Sequence, residues 1–303
     1  MALLKPKLFV AGHMTVDTIV INEVEFTSLG GPPCYAGLTA KNLGADVTII
    51  TRVGYEFPDE YVVWVARAGL DLCKGFRSRE KPTTRFLIIY EEGKRRLILK
   101  SKCDDLDPSQ LPSHQEYGVI INPVANEVSK EFLNLCSEKF ELRFLDPQGF
   151  LRGFSEDGSC FLHGMDMNLL RAVDFIKMDE EEAYHITGRG SPIEALEIVH
   201  KLGIKGAIMT RPQGAIFSNG IHVYQIRKRN GRVSDTTGRG DVFGGAFFVT
   251  YLKERDFTWS VCVGLAASSL CKDKLALSKI PTKEDVLLLA EELKENVAKV
   301  YGP

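Results

Sequence analysis

The feature that most constrains the fold is an alternation of short apolar runs with segments of helical periodicity along most of the chain. Short apolar runs bounded by turn residues are typical of buried strands, and their alternation with helices predicts a mainly parallel sheet covered by helices. The predicted strands are 7–12, 47–54, 117–123, 142–147, 174–178, 206–210 and 214–225. The predicted helices are 34–43, 57–69, 128–138, 179–187, 192–202, 241–254, 257–272 and 282–299.

Two stretches, 15–31 and 83–101, depart from this alternation because their patterns are typical of alternating strands or hairpins. The second has a predicted turn at Glu91-Glu92-Gly93. Such hairpins do not fit inside a parallel sheet. We therefore predict a small β-sheet lid that stands off the main sheet and is formed by about 13–33 and 83–101. The chain has no internal repeat and no Pro-rich linker, so we expect residues 1–303 to form a single domain that carries this lid.

Composition excludes several classes of protein. Lys plus Arg number 38 and Asp plus Glu number 40, so the net charge of -2 offers no global basic surface for nucleic acid. No apolar stretch reaches the length of about 18 residues that a membrane span needs, and the first apolar run is too short for a secretory signal. The seven cysteines are odd in number and never spaced C-x-x-C, which argues against disulfides or a zinc site and for a cytoplasmic location.

The segment 235–246, DTTGRGDVFGGA, carries the clearest sign of chemistry. It combines a polar turn, glycines that let backbone amides converge, and a helix predicted to begin at Asp241 with the partial positive charge of its amino end. The amides of 238–241 can form an anion hole for a transferring phosphoryl group while Asp241 accepts the proton of an attacking hydroxyl. Taken alone, the segment also fits an ordinary helix start in which Asp or Thr caps and Gly turns.

Other nucleotide and hydrolase motifs do not occur. A dinucleotide-binding G-x-G-x-x-G would need glycine at position 243, where the chain has Phe243, and would normally follow the first strand. The sequence contains no G-x-x-x-x-G-K-[ST], H-E-x-x-H or G-x-S-x-G. These observations oppose an NAD-dependent oxidoreductase, a Walker-type phosphate loop and two classes of hydrolase.

DTTGRGD followed by VFGGAF resembles the C-terminal signature of the ribokinase-like (PfkB family) carbohydrate kinases, with Arg239 where Ala is usual. Further matches follow the order of the family across nearly the whole chain: Gly12 with Asp17, Gly30-Gly31, Val53-Gly54, Thr83-Thr84, Lys177 to Glu182, and Thr210 to Gly214. The resemblance implies a ribokinase-like three-layer α/β/α domain with a mainly parallel central sheet and a small β-sheet lid. It also implies ATP and Mg²⁺ as the cofactors of a phosphotransferase.

The resemblance assigns roles at the phosphoryl-transfer end of the site. Asp241 would be the catalytic base, with Gly238, Arg239 and Gly240 around the transferred group. The implied nucleotide-binding residues are Lys177, Thr210, Gly214, Gly238 and Gly240. Arg239 can reach a phosphate of the donor or point to solvent, since nothing in the sequence fixes its direction.

Metal ions are a second implication of the resemblance. Asp179 and Glu182 would organise Mg²⁺ through water, although a solvated acidic helix start explains the same residues. Asp179 stands where the family has Asn, and Pro212 replaces a glycine of the nucleotide turn. A monovalent cation near Asp235 and Ser268 is a further expectation by analogy.

Two stretches that directly follow predicted strands bear on the acceptor: 121–124, Ile-Asn-Pro-Val, and 145–152, Leu-Asp-Pro-Gln-Gly-Phe-Leu-Arg. The second is similar to the D-x-Q-G-F-x-R segment of archaeal inositol kinases in this family. The implied acceptor-binding residues are Asp17, Gly30, Gly31, Gln148, Arg152 and Asp241. Tyr35 stands where many members have a substrate-binding Asn, which argues against ribose or a typical hexose.

Arg152 leaves the charge of the acceptor open. It can help to hold a neutral polyol ring, bind the carboxylate of a 2-keto-3-deoxy sugar acid as a bidentate pair, or close onto Asp146 or Glu156 as a loop residue.

The resulting hypothesis is an ATP-dependent kinase that phosphorylates a hydroxyl of a small sugar or polyol, with myo-inositol as the first candidate. A nucleoside or 2-keto-3-deoxy sugar-acid kinase of the same family is the alternative within this class. A non-catalytic sugar or nucleotide sensor is the alternative from another class, and the intact Asp241 argues against it. We expect a small-molecule partner, no nucleic acid or membrane, and a monomer or a homodimer formed through the lid.

Overall fold

A ten-stranded sheet forms the centre of the protein, seen in a computed structural model that describes residues 5–91, 94–227, 238–271 and 280–302. Across the sheet, its strands are β16 (Val297–Tyr301), β15 (Val223–Arg227), β14 (Gly214–Ser218), β13 (Gly206–Arg211), β12 (Phe175–Asp179), β9 (Phe140–Leu145), β8 (Glu116–Ile121), β1 (Lys7–Ala11), β4 (Asp46–Ile50) and β5 (Leu70–Leu72). The strands from β13 to β5 run parallel, whereas β14, β15 and β16 extend the sheet as antiparallel strands.

Helices cover both faces of this sheet. The described helices are α1 (Pro32–Asn42), α2 (Asp59–Arg67), α3 (Lys130–Lys139), α4 (Gln148–Leu151), α5 (Glu180–Thr187), α6 (Pro192–Lys201), α7 (Arg239–Glu254), α8 (Phe257–Leu270) and α9 (Lys283–Lys294), with 3₁₀ turns at Pro108–Gln110 and Met167–Ala172. Strand β1 shows how the layers form, because its side chains alternate between the two faces. Leu8 and Val10 join the core under α1, α7, α8 and α9, while Phe9 and Ala11 join the core under α3, α5 and α6.

A separate four-stranded sheet, hereafter the small sheet, lies apart from the main one. Its strands, in spatial order, are β3 (Val24–Gly30), β2 (Thr15–Ile21), β6 (Arg85–Glu91) and β7 (Lys94–Ser101). Each outer pair is an antiparallel hairpin, and the central pair β2 and β6 runs parallel. The predicted fold class, with its small sheet beside the parallel one, is confirmed, whereas the division of the chain into one domain and a moving lid stays a prediction. Of the predicted turn at 91–93, positions 92 and 93 lie outside the described residues.

The prediction was wrong at the C-terminus. The expected helix 282–299 ends at Lys294, and Val297–Tyr301 forms β16, which pairs antiparallel with β15. This pairing satisfies backbone groups along β15 that would otherwise lie at an open sheet edge. The partner strand of β16 lies about 70 residues earlier in the sequence, and such a distant pairing produces no pattern in the local periodicity of the chain.

Two smaller differences concern the start of one helix and short strands that were not predicted. Helix α7 begins at Arg239, two residues before the predicted start, because Gly238 adopts a left-handed conformation (φ 86°) and turns the chain into the helix. The strands expected within 214–225 are β14 and β15. The short strand β5 and a hairpin of β10 (Arg152–Phe154) with β11 (Cys160–Leu162) were not predicted. None of the described helices has the length and apolarity needed to cross a membrane.

Candidate active site

Charged side chains gather in one cavity of about 210 Å³, hereafter the carboxylate cavity, between the carboxyl ends of the parallel strands and the small sheet. The described carboxylates that line it are Asp17, Asp146, Asp179, Glu182 and Asp241, and the described cations are Arg95, Arg152 and Lys177. Parallel strands end at the same edge of a sheet, so residues distant in sequence meet there. The structure thus brings together the predicted Asp17, Gln148, Arg152, Lys177 and Asp241.

Asp241 lies in the first turn of α7 and is buried. Its Oδ1 accepts hydrogen bonds from Asn122 Nδ2 at 2.8 Å and from Gln148 Nε2 at 3.2 Å. Burial, followed by the negative charge of Asp146, raises the pKa of Asp241 to about 6, while Lys177 and the Asn122 hydrogen bond oppose the rise. The carboxylate is therefore fixed in orientation and ionised at neutral pH.

The amino end of α7 borders the same cavity. Among the described residues, no side chain caps this end, and the amides at the start of a helix have no acceptor within that helix. Gly238 and Gly240 both line the cavity, and a Cβ on Gly240 would lie 2.8 Å from Lys177 Nζ. The absence of side chains at these two positions keeps the amides open to an anion, with a lysine ammonium close by.

Lys177 forms a buried ion pair with Asp146 at the centre of the site. Its Nζ lies 2.6 Å from Asp146 Oδ2, and the two side chains are 9% and 1% exposed. Burial acts to lower the pKa of Lys177, but the carboxylates of Asp146 and Glu182 outweigh it and raise the pKa. Burial raises the pKa of Glu182, against the opposing charge of Lys177. Lys177 was predicted to bind the nucleotide, and in the structure it borders the carboxylate cavity and touches the amino end of α7.

Asp179 and Glu182 form a capping box at the start of α5. Asp179 Oδ1 accepts from the Glu182 amide at 2.8 Å, and Glu182 Oε2 accepts from the Asp179 amide at 2.8 Å. Each carboxylate also lines the carboxylate cavity. Among the described residues, no group of three or more His, Cys, Asp or Glu side chains is placed to hold a metal ion. The predicted role of Asp179 and Glu182 at a hydrated Mg²⁺ therefore stays a prediction.

Asp17 reaches the cavity from the small sheet. Its Oδ2 accepts from Thr15 Oγ1 at 2.9 Å, and its Oδ1 accepts from the Phe86 amide at 3.3 Å. Burial raises the pKa of Asp17 to about 6. A Cβ on Gly30 would overlap Asp17 Oδ2, so this glycine makes room for the carboxylate. Gly31 takes φ 90° at the start of α1, where a Cβ would overlap the His13 carbonyl.

Gln148 and Arg152 lie one turn apart and bond each other. Arg152 Nη2 donates to Gln148 Oε1 at 2.5 Å, and Arg152 Nη1 donates to the Val124 carbonyl at 3.2 Å. Gln148 Nε2 donates to Asn122 Oδ1 at 2.7 Å. Arg152 thus does not close onto Asp146 or Glu156, which was one of the alternatives. A continuous chain of hydrogen bonds runs from Arg152 through Gln148 to Asn122 and Asp241.

A second cavity of about 300 Å³, hereafter the apolar cavity, lies on the other side of the amino end of α7. It is lined by Asp179, Thr210, Arg211, Pro212, Gly214, Arg239, Gly240, Phe243, Leu265 and Ser268. The predicted nucleotide residues Thr210 and Gly214 therefore meet here, and Gly240 and Asp179 border both cavities.

Arg239 lies in the wall of the apolar cavity, and its side chain bonds to a neighbouring helix instead of pointing only to solvent. Its Nε donates to the Ser268 carbonyl at 2.7 Å, in the last turn of α8. The positive charge suits the carboxyl end of that helix. Ser268 lines the same cavity, whereas Asp235, its predicted partner in a cation site, lies outside the described residues.

Comparison with known proteins decides the family. The sequence profile of the pfkB family carbohydrate kinases matches residues 5–283. The chain belongs to this family. The resemblance noted in the sequence is confirmed, and the protein is a carbohydrate kinase of the pfkB family.

Relatives of this pfkB kinase differ in the molecules for which they are named. A cytidine kinase of Thermococcus kodakarensis is 24% identical over 273 residues, which cover 85% of this chain and 93% of the relative. An ATP-dependent 6-phosphofructokinase of Thermoanaerobacterium thermosaccharolyticum is 24% identical over 286 residues, which cover 88% of this chain and 87% of the relative. Membership of the family therefore fixes the type of chemistry and leaves the acceptor open.

Solved structures support the fold of the pfkB kinase. A pyrophosphate-dependent kinase of the ribokinase family, complexed with a pyrophosphate analogue and myo-inositol, superposes with a TM-score of 0.80 at 22% identity, covering 92% of this chain and 98% of that one. A Vibrio cholerae fructokinase with fructose, ADP and calcium gives a TM-score of 0.76 at 19% identity, covering 94% and 99%. Both have the ribokinase-like fold.

The sequence did not identify three charged or polar residues of this kinase site. Asn122 and Asp146 lie in the stretches 121–124 and 145–152, which were expected to bear on the acceptor because they follow strands, but neither residue was assigned a role in the site. Arg95 on β7 gave no comparable signal, because it sits in a basic run, Lys94-Arg95-Arg96, that is typical of a solvated strand.

Proposed function

We propose that this pfkB-family kinase transfers the γ-phosphoryl group of ATP to a hydroxyl of a small polyol, with myo-inositol as the first acceptor to test. The observation that carries the proposal is the position of Asp241. It lines the carboxylate cavity in the first turn of α7, and Gly240, its neighbour in sequence, borders both cavities. A phosphoryl group that passes between the two cavities would meet both the helix amides and a carboxylate base.

The proposed mechanism assigns one role to each group. Asn122 and Gln148 both donate to Oδ1 of Asp241, and we assign the acceptor's proton to Oδ2. The backbone amides at the amino end of α7, together with Lys177, would offset the charge that develops on the transferring phosphoryl group. Asp179 and Glu182 would hold a hydrated Mg²⁺, which would supply positive charge to the donor phosphates. Closure of the small sheet, which carries Asp17, would exclude water from the site.

The apolar cavity is the reason why we propose ATP rather than pyrophosphate as the donor. Phe243, Leu265 and Pro212 form apolar walls there, which suit the base of a nucleotide and have no counterpart in pyrophosphate. A structurally similar relative is named as pyrophosphate-dependent, so the two donors are to be compared directly. Phosphate transfer that is faster with pyrophosphate than with ATP and Mg²⁺ would reverse this assignment.

The kinase proposal is tested by replacing the base. Purified protein is assayed for ADP release with ATP, Mg²⁺ and myo-inositol, ribose, fructose, adenosine, cytidine or 2-keto-3-deoxygluconate. Asp241→Asn should lower kcat by about 100-fold to 10,000-fold, because proton transfer loses its base. Asp285→Asn is the matched control, since Asp285 occupies the same position in the first turn of α9 and lies far along the chain from the site.

Two results would contradict the proposal. Turnover that survives in Asp241→Asn at nearly the wild-type rate would remove the assigned base. Tight binding of acceptors without phosphate transfer across the whole panel would instead favour the non-catalytic sensor.

A further inference from the structure

Two guanidinium groups enter the carboxylate cavity from different elements. Arg95 comes from β7 of the small sheet, and Arg152 from the start of β10. In the described part of the chain, neither of them forms an ion pair with a carboxylate. The Nε of Arg95 is buried and has no hydrogen-bond partner among the described residues.

The strand register fixes the direction of Arg95. Residues of β6 and β7 pair as Phe86 with Leu99, Ile88 with Leu97, and Tyr90 with Arg95. Phe86, Ile88 and Tyr90 are buried in the core of the small sheet, against which Leu97 and Leu99 pack. Arg95 therefore lies on the inner face of the sheet. Arg96 lies on the opposite face, where it borders a separate hollow and is exposed.

The positive charge of Arg95 acts on Arg152. Burial, and after it the positive charge of Arg95, lowers the pKa of Arg152. Asp17 is close enough for both arginines to favour its ionised form, but its oxygens already accept from Thr15 and Phe86. Two like charges that share a confined cavity repel each other, and an anion bound between them would offset that repulsion.

We propose that the acceptor of this kinase carries an anionic group, a carboxylate or a phosphate, in addition to its hydroxyls, and that Arg95 and Arg152 bind that group. The proposal rests on the proposed function and narrows the acceptor from polyols in general to anionic polyols. Arginine suits this role because its planar donors match carboxylate and phosphate oxygens. Asp241 and the amino end of α7 line the same cavity, so one small molecule can contact the arginines and still present a hydroxyl to the base.

Pairs of acceptors test directly whether the enzyme prefers an acceptor that carries an anionic group. Each pair has a similar carbon skeleton with and without the anion: myo-inositol with myo-inositol monophosphate, fructose with fructose 6-phosphate, and a deoxy sugar with 2-keto-3-deoxygluconate. In the wild-type protein, kcat/KM for the anionic member should exceed that for its neutral partner by about tenfold or more, the effect of a charged hydrogen bond. The phosphate and carboxylate pairs show which anion is preferred.

Arg95 is the residue to change, because Arg152 also holds Gln148. Arg95→Met should remove most of the preference for the anionic member, because kcat/KM for that member should fall about tenfold more than kcat/KM for its neutral partner. Arg96→Met, on the other face of the same strand, should leave the preference intact. Raising the salt concentration should weaken binding of the anionic member more than that of the neutral one.

Calorimetric titration of each pair keeps the inference testable if no acceptor is turned over. Absence of turnover with the whole panel would count against the kinase proposal, while stronger binding of the anionic members would still support the arginine site. Equal kcat/KM and equal binding within every pair, or the same response to Arg95→Met and Arg96→Met, would overturn the inference and leave the kinase proposal standing.

Discussion

The two cavities differ in how their polar groups are held. In the carboxylate cavity, side chains bond one another across distant strands, as in the chain from Arg152 to Asp241 and the pair of Lys177 with Asp146. In the apolar cavity, the polar groups bond mainly to backbone or to nearby helices. Thr210 donates weakly to the Met178 carbonyl at 3.4 Å, and Arg239 donates to the end of α8.

Because of this difference, substitutions in the two cavities should have different effects. A change in the carboxylate cavity should disturb several partners at once and so affect stability, the pKa of Asp241 and kcat together. A change in the apolar cavity should affect the affinity for one ligand and little else. Three substitutions, taken in order of the effect expected, test whether the contrast holds.

Lys177→Met should have the largest effect, on stability. It leaves Asp146 buried and unpaired, which costs about 3–5 kcal/mol of the free energy of unfolding. Denaturation by urea measures the loss. The double variant Lys177→Met/Asp146→Leu should regain much of it, since both charges are then gone.

Lys205→Met is the matched control for this test. Lys205 also pairs with a buried aspartate, Asp174, at 2.8 Å, but it is 61% exposed and Asp174 keeps its contact with Arg143 at 2.7 Å. Its removal should cost no more than about 1 kcal/mol. Equal losses in Lys177→Met and Lys205→Met would mean that the buried pair does not organise the carboxylate cavity.

The sequence predicted the parts of this cavity whose signal is local. Asp241 stands in a glycine-rich helix start, so turn chemistry was enough to propose it. Gln148 and Arg152 lie in a stretch that follows a strand, and the resemblance to the D-x-Q-G-F-x-R segment assigned them to the acceptor. The wound sheet followed in the same way from alternating periodicities.

What the sequence could not supply depends on contacts between distant segments. Asn122 and Asp241 are 119 positions apart, and no local pattern records that an amide donates to this carboxylate. Arg95 was missed because the inner face of β7 is set by its register with β6, and a slip of one residue would exchange Arg95 and Arg96. Strand β16 was missed because its partner β15 lies far away in the chain.

Asn122→Ala should have an intermediate effect, seen best in the pH profile. A base acts when ionised, so kcat/KM should fall as the pH drops through the Asp241 pKa of about 6. Asn122 Nδ2 stabilises the ionised form, so its removal should raise that pKa and move the acidic limb to higher pH. We expect kcat at neutral pH to fall by about 10-fold to 100-fold, in line with the loss of a hydrogen bond to a charged group.

The KM for ATP serves as the internal control for Asn122→Ala, because Asn122 does not line the apolar cavity. It should stay within about twofold of the wild-type value. A fall in kcat without any movement of the acidic limb would assign Asn122 to structure alone rather than to the positioning of Asp241.

Arg239→Ala should have the smallest effect, confined to the donor. The guanidinium lies in the wall of the apolar cavity with its Nε bonded to the Ser268 carbonyl, so a phosphate would share a cation that already has a partner. We expect the KM for ATP to rise by about threefold to tenfold, equivalent to roughly 1 kcal/mol, with kcat nearly unchanged.

Arg211→Ala provides the comparison, since Arg211 lines the same cavity and is bound by Glu180 at 2.8 Å. If Arg239→Ala instead lowers kcat as strongly as Asn122→Ala, Arg239 acts on the phosphoryl group in transit. The two cavities would then form one catalytic unit, and the contrast between them would fail at the amino end of α7.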